Sequence, residues 1–344
     1  MSYRIISDLI NKDKIPTFVL FYGAEVYLID RSVKDLKNKY INKDFEDMNY
    51  CEFEKIDTDI NAFYESVTTL PFISEKKLCV VKESDFLTST GSINKKDEDK
   101  LLNLIENNYD SCIIVFLIKG GKPDARKKIV KKLKEKNAVF EINKLNETEL
   151  NKYIIDYFKK HGITINLSDA DYISNNSGYL EYESLTSLYD VNNELDKLVS
   201  YCMDLKKVQR ADIDNLMIIS IESNIFKLVD YVCEGSKEKA YDILEEMLLN
   251  NVPEQYIIHM ITRQYRMLYQ YVLLYSKGYN IDYIMNRMKI KKFVAIKLSK
   301  LAKNLTLKKI EGYMDKFLEI DRKIKVGEID KKVGLEIITN GTIF

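Results

Sequence analysis

The chain has 344 residues, of which 46% are hydrophobic and 31% are charged. This apolar share excludes a disordered chain, and the length allows two or three domains. Lys and Arg together number 53, as do Asp and Glu, so the net charge does not favour binding of nucleic acid over the whole surface; any DNA contact must come from a local patch. No apolar run approaches the ~20 residues of a membrane helix.

Residues 1–142 alternate between strand and helix patterns. The predicted strands are Thr17–Tyr22, Tyr50–Phe53, Leu78–Lys82, Cys112–Ile118 and Ala138–Ile142. Their nearly continuous apolarity is typical of strands covered on both faces, which predicts a mostly parallel sheet. Helices are predicted at Glu25–Tyr40 and Asp124–Glu135, and the polar stretch Ser84–Asp97, with Gly91, is predicted to be a mobile surface loop.

Beyond residue 142 the strand pattern stops and helical periodicity continues. Residues 143–212 are predicted to form a small helical domain, in which Glu149–Lys160 is a helix ending near Gly162. Residues 213–344 are predicted to be helical throughout. Two apolar helix faces are expected there: Ile258, Ile261, Tyr265, Leu268, Val272 and Tyr275 after Pro253, and then Val294, Leu298, Leu301 and Leu305.

The residues of common active sites are missing from the sequence. The two histidines are His161, predicted at a solvated helix end, and His259, inside a helix without an HExxH motif. A zinc site or a serine triad is therefore not expected. The five cysteines are far apart and form no CxxC pair, which indicates reduced thiols and, with the absence of a secretion signal at the N-terminus, a cytoplasmic protein.

A strand runs into Gly23 and then into a helix, where a phosphate-binding loop would lie in a P-loop ATPase. That loop needs the pattern GxxxxGK followed by Ser or Thr, because glycines let backbone N–H groups surround the phosphate while Lys contacts it. Here GAEVYLIDR has one glycine, no lysine and bulky residues. The strand ending at Lys82 also lacks the acidic pair that would hold a metal ion. The first domain has the outline of an ATPase without its chemistry.

Several stretches resemble bacterial DNA polymerase III delta subunits, in the order expected along the chain. They are FYGAEVYLIDR (21–31), LPFISEKKLCVVK (70–82), IKGGKPDARKKIVKKLK (118–134), IFKLVDYVCEGSKEKAYDILEEML (225–248), YIIHMITRQYRMLYQ (256–270) and DRKIKVGEID (321–330). The resemblance covers nearly the whole chain, and the joint order of the stretches makes it specific.

The resemblance implies a fold of class α/β plus α. It comprises an AAA+-like domain without a working P-loop (1–142), a small helical lid-like domain (143–212) and an all-helical collar (213–344). It also implies a non-catalytic subunit of the polymerase holoenzyme, which binds and opens the beta sliding clamp for loading onto primed DNA. The implied partners are the clamp, the tau/gamma motor subunits, the delta-prime subunit and DNA; no cofactor, metal, membrane or homo-oligomer is implied.

In this family the clamp is bound by apolar residues before the third strand, and the matching positions here are Leu70, Phe72 and Ile73. Aromatic and aliphatic anchors that fill pockets dominate interface energies, so these residue types suit the role. The alternative is that they are local core, since apolar residues before a strand usually are. Pro71 stands where some family members carry leucine, which leaves the anchor pair open.

No acidic residue lies between Asp282 and Glu311, whereas lysines are frequent there. Lys292, Lys300 and Lys303 are candidates to face DNA, because basic side chains contact phosphates without regard to sequence. The alternative is a solvated helix face. Two other functions stay open at this point: a degenerate AAA+-type ATPase, and a helical nucleic-acid-binding module.

Overall fold

A computed structural model describes residues 2–56, 60–107, 109–180, 186–217, 221–290, 292–303 and 305–339. The chain divides into two compact units. The first consists of residues 1–145 with 187–190, and the second of residues 146–186 with 191–344. The further division of the helical part between residues 212 and 213 stays a prediction.

The first unit is built on a five-stranded sheet with the order β2-β3-β4-β1-β5. The strands are β1 (Phe18–Gly23), β2 (Tyr50–Phe53), β3 (Lys77–Val81), β4 (Cys112–Lys119) and β5 (Val139–Glu141). All neighbouring pairs are parallel, which confirms the predicted sheet. The central strand β4 is buried along all of its length except Lys119, because helices cover both faces of the sheet.

The helices of the first unit are α1 (Ser2–Asn11), α2 (Val26–Tyr40), α3 (Glu46–Asn49), α4 (Ile60–Thr68), α5 (Lys95–Glu106) and α6 (Lys128–Glu135). The predicted start of α6 at Asp124 is wrong by four residues. The Asp124 carboxylate accepts a hydrogen bond from the Arg126 backbone N–H at 2.9 Å, and the Lys127 N–H donates to the Asp124 carbonyl at 3.1 Å. This local turn competes with the helix, as Asp side chains commonly do.

The predicted surface loop Ser84–Asp97 is also corrected in part. Its residues Asp85–Leu87 form a 3-10 turn, and Phe86 and Leu87 are buried in the core of the first unit. Gly91 is required where it stands, since a Cβ there would lie 1.9 Å from the Asp85 carbonyl oxygen. Two apolar side chains therefore anchor this otherwise polar segment in the core.

The remaining helices are α7 (Glu147–Lys160), α8 (Leu167–Asn176), α9 (Leu188–Cys202), α10 (Arg210–Leu216), α11 (Ile221–Glu234), α12 (Lys237–Leu249), α13 (Glu254–Ser276), α14 (Ile281–Met288), α15 (Lys292–Ala302), α16 (Leu307–Lys325) and α17 (Lys331–Thr339). The apolar face predicted for α15 and the residues after it is buried throughout. On α13 the predicted face is buried as far as Leu268, whereas Tyr275 is 64% exposed and stacks on Tyr271. Across the described ranges, no helix combines the length and apolarity that a membrane span requires.

Candidate functional site

The loop between α4 and β3 presents three apolar side chains to solvent. Leu70 is 77% exposed, Phe72 is 46% exposed and Ile73 is 68% exposed. The structure thus brings the three predicted anchors together on one loop, and none of them is core in this chain. Adjacent exposed aliphatic and aromatic residues are the usual mark of a surface that another protein covers. What they bind stays a prediction.

The backbone of this loop is held by a buried asparagine, Asn49, at the end of α3. Its Oδ1 accepts a hydrogen bond from the Phe72 N–H at 2.7 Å, and its Nδ2 lies 2.8 Å from the Phe72 carbonyl oxygen. The same Nδ2 lies 3.0 Å from the Phe45 carbonyl and 3.1 Å from Ser74 Oγ. Asn49 itself is fully buried. One side chain therefore satisfies both backbone groups of Phe72.

The loop also contains a residue in an unfavourable backbone conformation. Ile73 has a φ of +48°, and for a β-branched residue the left-handed region is a genuine outlier. Such conformations persist only where the surroundings hold them, and they cluster at binding sites. On the other side of the loop, the Phe72 ring meets the Phe45 ring edge to face. The conformation of the loop is thus held by its contacts with Asn49 and Phe45.

Helix α3 is itself fastened to α2. Lys37 on α2 forms an ion pair with Glu46, and its ammonium lies 4.1 Å from the centre of the Tyr50 ring. The sequence alone does not predict the role of Asn49 in holding this loop. A single asparagine between a short helix and a strand carries no periodic or motif signal, because its partner lies 23 residues further along the chain.

The position that a phosphate-binding loop would occupy is closed. Gly23 ends β1 with a φ of +138°, and a Cβ there would lie 2.2 Å from the Ile142 carbonyl oxygen. The next turn is started by Glu25, which is 1% exposed and whose carboxylate accepts a hydrogen bond from the Tyr27 N–H at 3.3 Å. A carboxylate thus caps the N-terminus of α2, where a P-loop would hold phosphate.

Further side chains fill the same region. The Tyr27 ring packs edge to face on Tyr189, which belongs to the first unit, with centroids 4.9 Å apart. The Tyr189 hydroxyl donates to Asp30 at 2.6 Å, and Lys119 pairs with Asp30 at 2.7 Å. Burial, together with the hydrogen bond to Asp30, raises the pKa of Tyr189. A nucleotide phosphate brought here would meet the Glu25 carboxylate at the start of α2, and the nearby Lys119 cation is already paired with Asp30.

The end of β3 carries a lysine where a P-loop ATPase would place acidic residues that bind a metal ion. Lys82, immediately after the strand, pairs with Glu52 at 2.7 Å and with Glu54 at 3.0 Å. The two carboxylates raise the pKa of Lys82 and keep it charged. A lysine in this place cannot hold a metal ion, and within the described ranges no group of three or more His, Cys, Asp or Glu side chains is arranged to do so. His161 and His259 are both exposed.

The candidate DNA-facing lysines lie on or just after α15. Lys292, Lys300 and Lys303 are all exposed. Lys300 also borders a cleft of about 440 Å³ within the second unit. The cleft is lined by the cations Arg210, Lys227, Lys297 and Lys300 and by the carboxylates Asp171 and Asp230. The carboxylates offset part of the positive charge, so the cleft is mixed in sign rather than a basic groove.

Comparison with known proteins gives a consistent result along the chain. A family model described as DNA polymerase III, delta subunit, matches residues 19–143, and one for the C-terminal domain of that subunit matches residues 222–340. DNA polymerase III subunit delta of Bacillus subtilis is 23% identical over 330 residues, which are 95% of this chain and 93% of the relative.

The solved structure of the Bacillus subtilis DNA clamp loader delta protein shares the fold. Its TM-score is 0.63 at 22% identity, with 99% of each chain covered. A protein of Clostridium botulinum named as a probable phosphatase is 26% identical over 179 residues, which are only 48% of this chain and 70% of that protein. The two family models and the full-length relative agree on one assignment, and the chain belongs to the DNA polymerase III delta subunit family.

Proposed function

We propose that this chain binds the beta sliding clamp through Leu70, Phe72 and Ile73. As a delta subunit it acts within a clamp loader, a complex that places a sliding clamp on DNA. The observation that carries the proposal is the exposure of three apolar anchors on one loop whose backbone is fixed by Asn49. Anchors on a loop beside a rigid sheet suit insertion into a pocket of a partner.

Opening of the clamp would follow from differential binding. A ring in equilibrium between closed and open forms is shifted by a partner only to the extent that the partner binds the open form more tightly. The loop therefore has to contact the clamp beside an interface between clamp subunits, where opening changes the bound surface. No covalent chemistry is needed for this step.

We propose further that the chain has no intrinsic ATPase activity and that ATP acts through the tau/gamma motor subunits. The buried Glu25 carboxylate and the close contact at Gly23 support this, because they occupy the space and reverse the charge that a phosphate needs. The helical collar at residues 213–344 would join the ring with the motor and delta-prime subunits. Residues 143–212 would form the small domain between, and the protein would work in the cytoplasm.

Calorimetric titration of the purified chain with its cognate sliding clamp tests the main proposal. Wild type should bind without ATP, and Leu70→Ala and Phe72→Ala should each lose about 2 kcal/mol of binding free energy, the scale of an interface hot spot. Leu249→Ala is the matched control, since Leu249 is an equally exposed leucine (76%) on α12 in the second unit. If both loop variants bound the clamp with wild-type affinity, the loop would not be part of the interface.

A second role is proposed for Lys292, Lys300 and Lys303, namely contact with DNA held by the assembled loader. The run from Asp282 to Glu311 without an acidic residue favours it, as does the exposure of all three side chains. Because the whole chain has no net charge, DNA contact is limited to this local patch. Its contribution to DNA binding should weaken as the salt concentration rises.

A further inference from the structure

We infer that Asn49 is a positioning residue of the clamp-binding loop, which acts by holding the backbone of Phe72 before the clamp arrives. The inference rests on the proposed function of Leu70, Phe72 and Ile73. It adds a residue on a different element, 23 positions earlier in the chain, on which the affinity of those anchors depends.

The chemistry of the contact is specific to an amide side chain. Asn49 accepts from the N–H of Phe72 and donates to the carbonyl of the same residue, so it pairs with the loop as a neighbouring β-strand would. Aspartate lacks the donor and leucine lacks both groups. Because Asn49 is fully buried, its hydrogen bonds do not compete with water, and leaving any of its groups unpaired would be costly.

The loop needs such a contact because its conformation is not favourable by itself. Ile73 adopts a left-handed backbone with its side chain 68% exposed, so packing of that side chain does not compensate for the strain. The Asn49 side chain also reaches Ser74 on the far side of Ile73, which spans the strained residue. A loop fixed in this way binds with less loss of conformational entropy than a loop that must order on contact.

A double-mutant cycle separates this role from general stabilisation. Clamp affinity is measured for wild type, Asn49→Ala, Phe72→Ala and the double variant, with each shown to be folded by circular dichroism. Asn49→Ala should weaken binding about tenfold. In the Phe72→Ala background it should weaken binding by clearly less than tenfold, because one of the three anchors that Asn49 positions is then absent. Equal losses in both backgrounds, or no loss in either, would overturn the inference.

Asn151→Ala is the matched control. Asn151 is also a buried asparagine that bonds through both ends of its amide, to Ser174 Oγ at 2.6 Å and to Asp171 at 3.0 Å, but it lies in the second unit. Its replacement should lower the free energy of unfolding and leave the affinity for the clamp unchanged. A loss of affinity equal to that of Asn49→Ala would show that destabilisation alone explains the result.

Hydrogen exchange tests the contact without the clamp. In wild type the Phe72 amide should exchange at least about tenfold more slowly than in an unstructured peptide, because its N–H is bonded to a buried acceptor. In Asn49→Ala that protection should disappear while β4 amides stay protected. Free exchange at Phe72 in wild type contradicts the inference, even if Asn49→Ala fails to fold. Failure of wild type to bind the clamp contradicts the proposed function instead.

Discussion

The rings of Phe45 and Phe72 meet edge to face, with their centroids 5.6 Å apart. This apolar contact joins the loop that carries Leu70, Phe72 and Ile73 to the segment before α3. Such a pair is worth only about 0.5–1.5 kcal/mol beyond its buried area, and Phe72 keeps 46% of its surface exposed. Phe72 therefore contributes little to the free energy of folding, and its exposed surface can contact a partner.

Phe72→Ala should lower the free energy of unfolding by about 1 kcal/mol. Phe63→Ala should lower it by about 3–5 kcal/mol, because Phe63 on α4 is fully buried against the sheet. Urea unfolding of the two variants, followed by circular dichroism, checks the difference. Similar losses in the two variants would place Phe72 in the core and count against its role as an anchor.

Ile73→Gly and Ile73→Ala form a matched pair, since both remove the side chain but only glycine adopts a φ of +48° without strain. The glycine variant should be the more stable of the two by up to about 1 kcal/mol, despite the greater freedom of glycine in the unfolded chain. Thermal unfolding compares them. Both should bind the clamp more weakly than wild type, and a glycine variant less stable than the alanine variant would mean that the loop is not strained.

Addition of ATP with Mg²⁺ should leave the unfolding temperature unchanged. A ligand at 100 times its Kd stabilises a protein by about 2.7 kcal/mol, which is readily visible as a shift. The Glu25 carboxylate at the start of α2 opposes such binding. Differential scanning fluorimetry at millimolar ATP, with a motor subunit as the positive control, makes the comparison. A clear rise in the unfolding temperature would favour the degenerate ATPase instead.

The second unit should lose stability at alkaline pH. Burial raises the pKa of Cys233 to about 11 and that of Tyr265 well above its ordinary value. The folded state thus keeps protons that the unfolded state releases, so the stability they contribute is complete below about pH 9 and falls as the pH rises toward 11. The decrease in unfolding temperature from pH 8 to 10.5 should be smaller in Cys233→Ala than in wild type. Tyr201→Phe, at an exposed position of α9 in the same unit, should behave as wild type.

The sheet and most helices can be predicted from the spacing of apolar residues in the sequence. The strands β1, β3 and β4 are nearly continuous apolar runs, and α15 shows its buried face at every third or fourth residue. The turn at Asp124 is mispredicted because local hydrogen bonds replace the first helical turn, and the burial of Phe86 and Leu87 is mispredicted because they stand in a polar segment. The loop anchors could be identified only through family resemblance, since apolar residues before a strand favour the core. Asn49 could not be identified, because its hydrogen bonds join distant parts of the chain.

Lys300, on α15, and Lys303, directly after it, should contribute to the binding of DNA. Binding of a single-stranded oligonucleotide by the assembled loader, measured by fluorescence anisotropy at several salt concentrations, should weaken as salt rises, with a slope of about −0.7 for each phosphate contacted. Lys300→Ala and Lys303→Ala should each reduce the steepness by up to about that amount, whereas Lys95→Ala should not. Lys95 is an equally exposed lysine on α5 in the first unit, so its replacement changes the net charge by the same amount. If the slope is unchanged in Lys300→Ala and Lys303→Ala, these lysines only form a solvated surface, and the proposed contact with DNA is wrong.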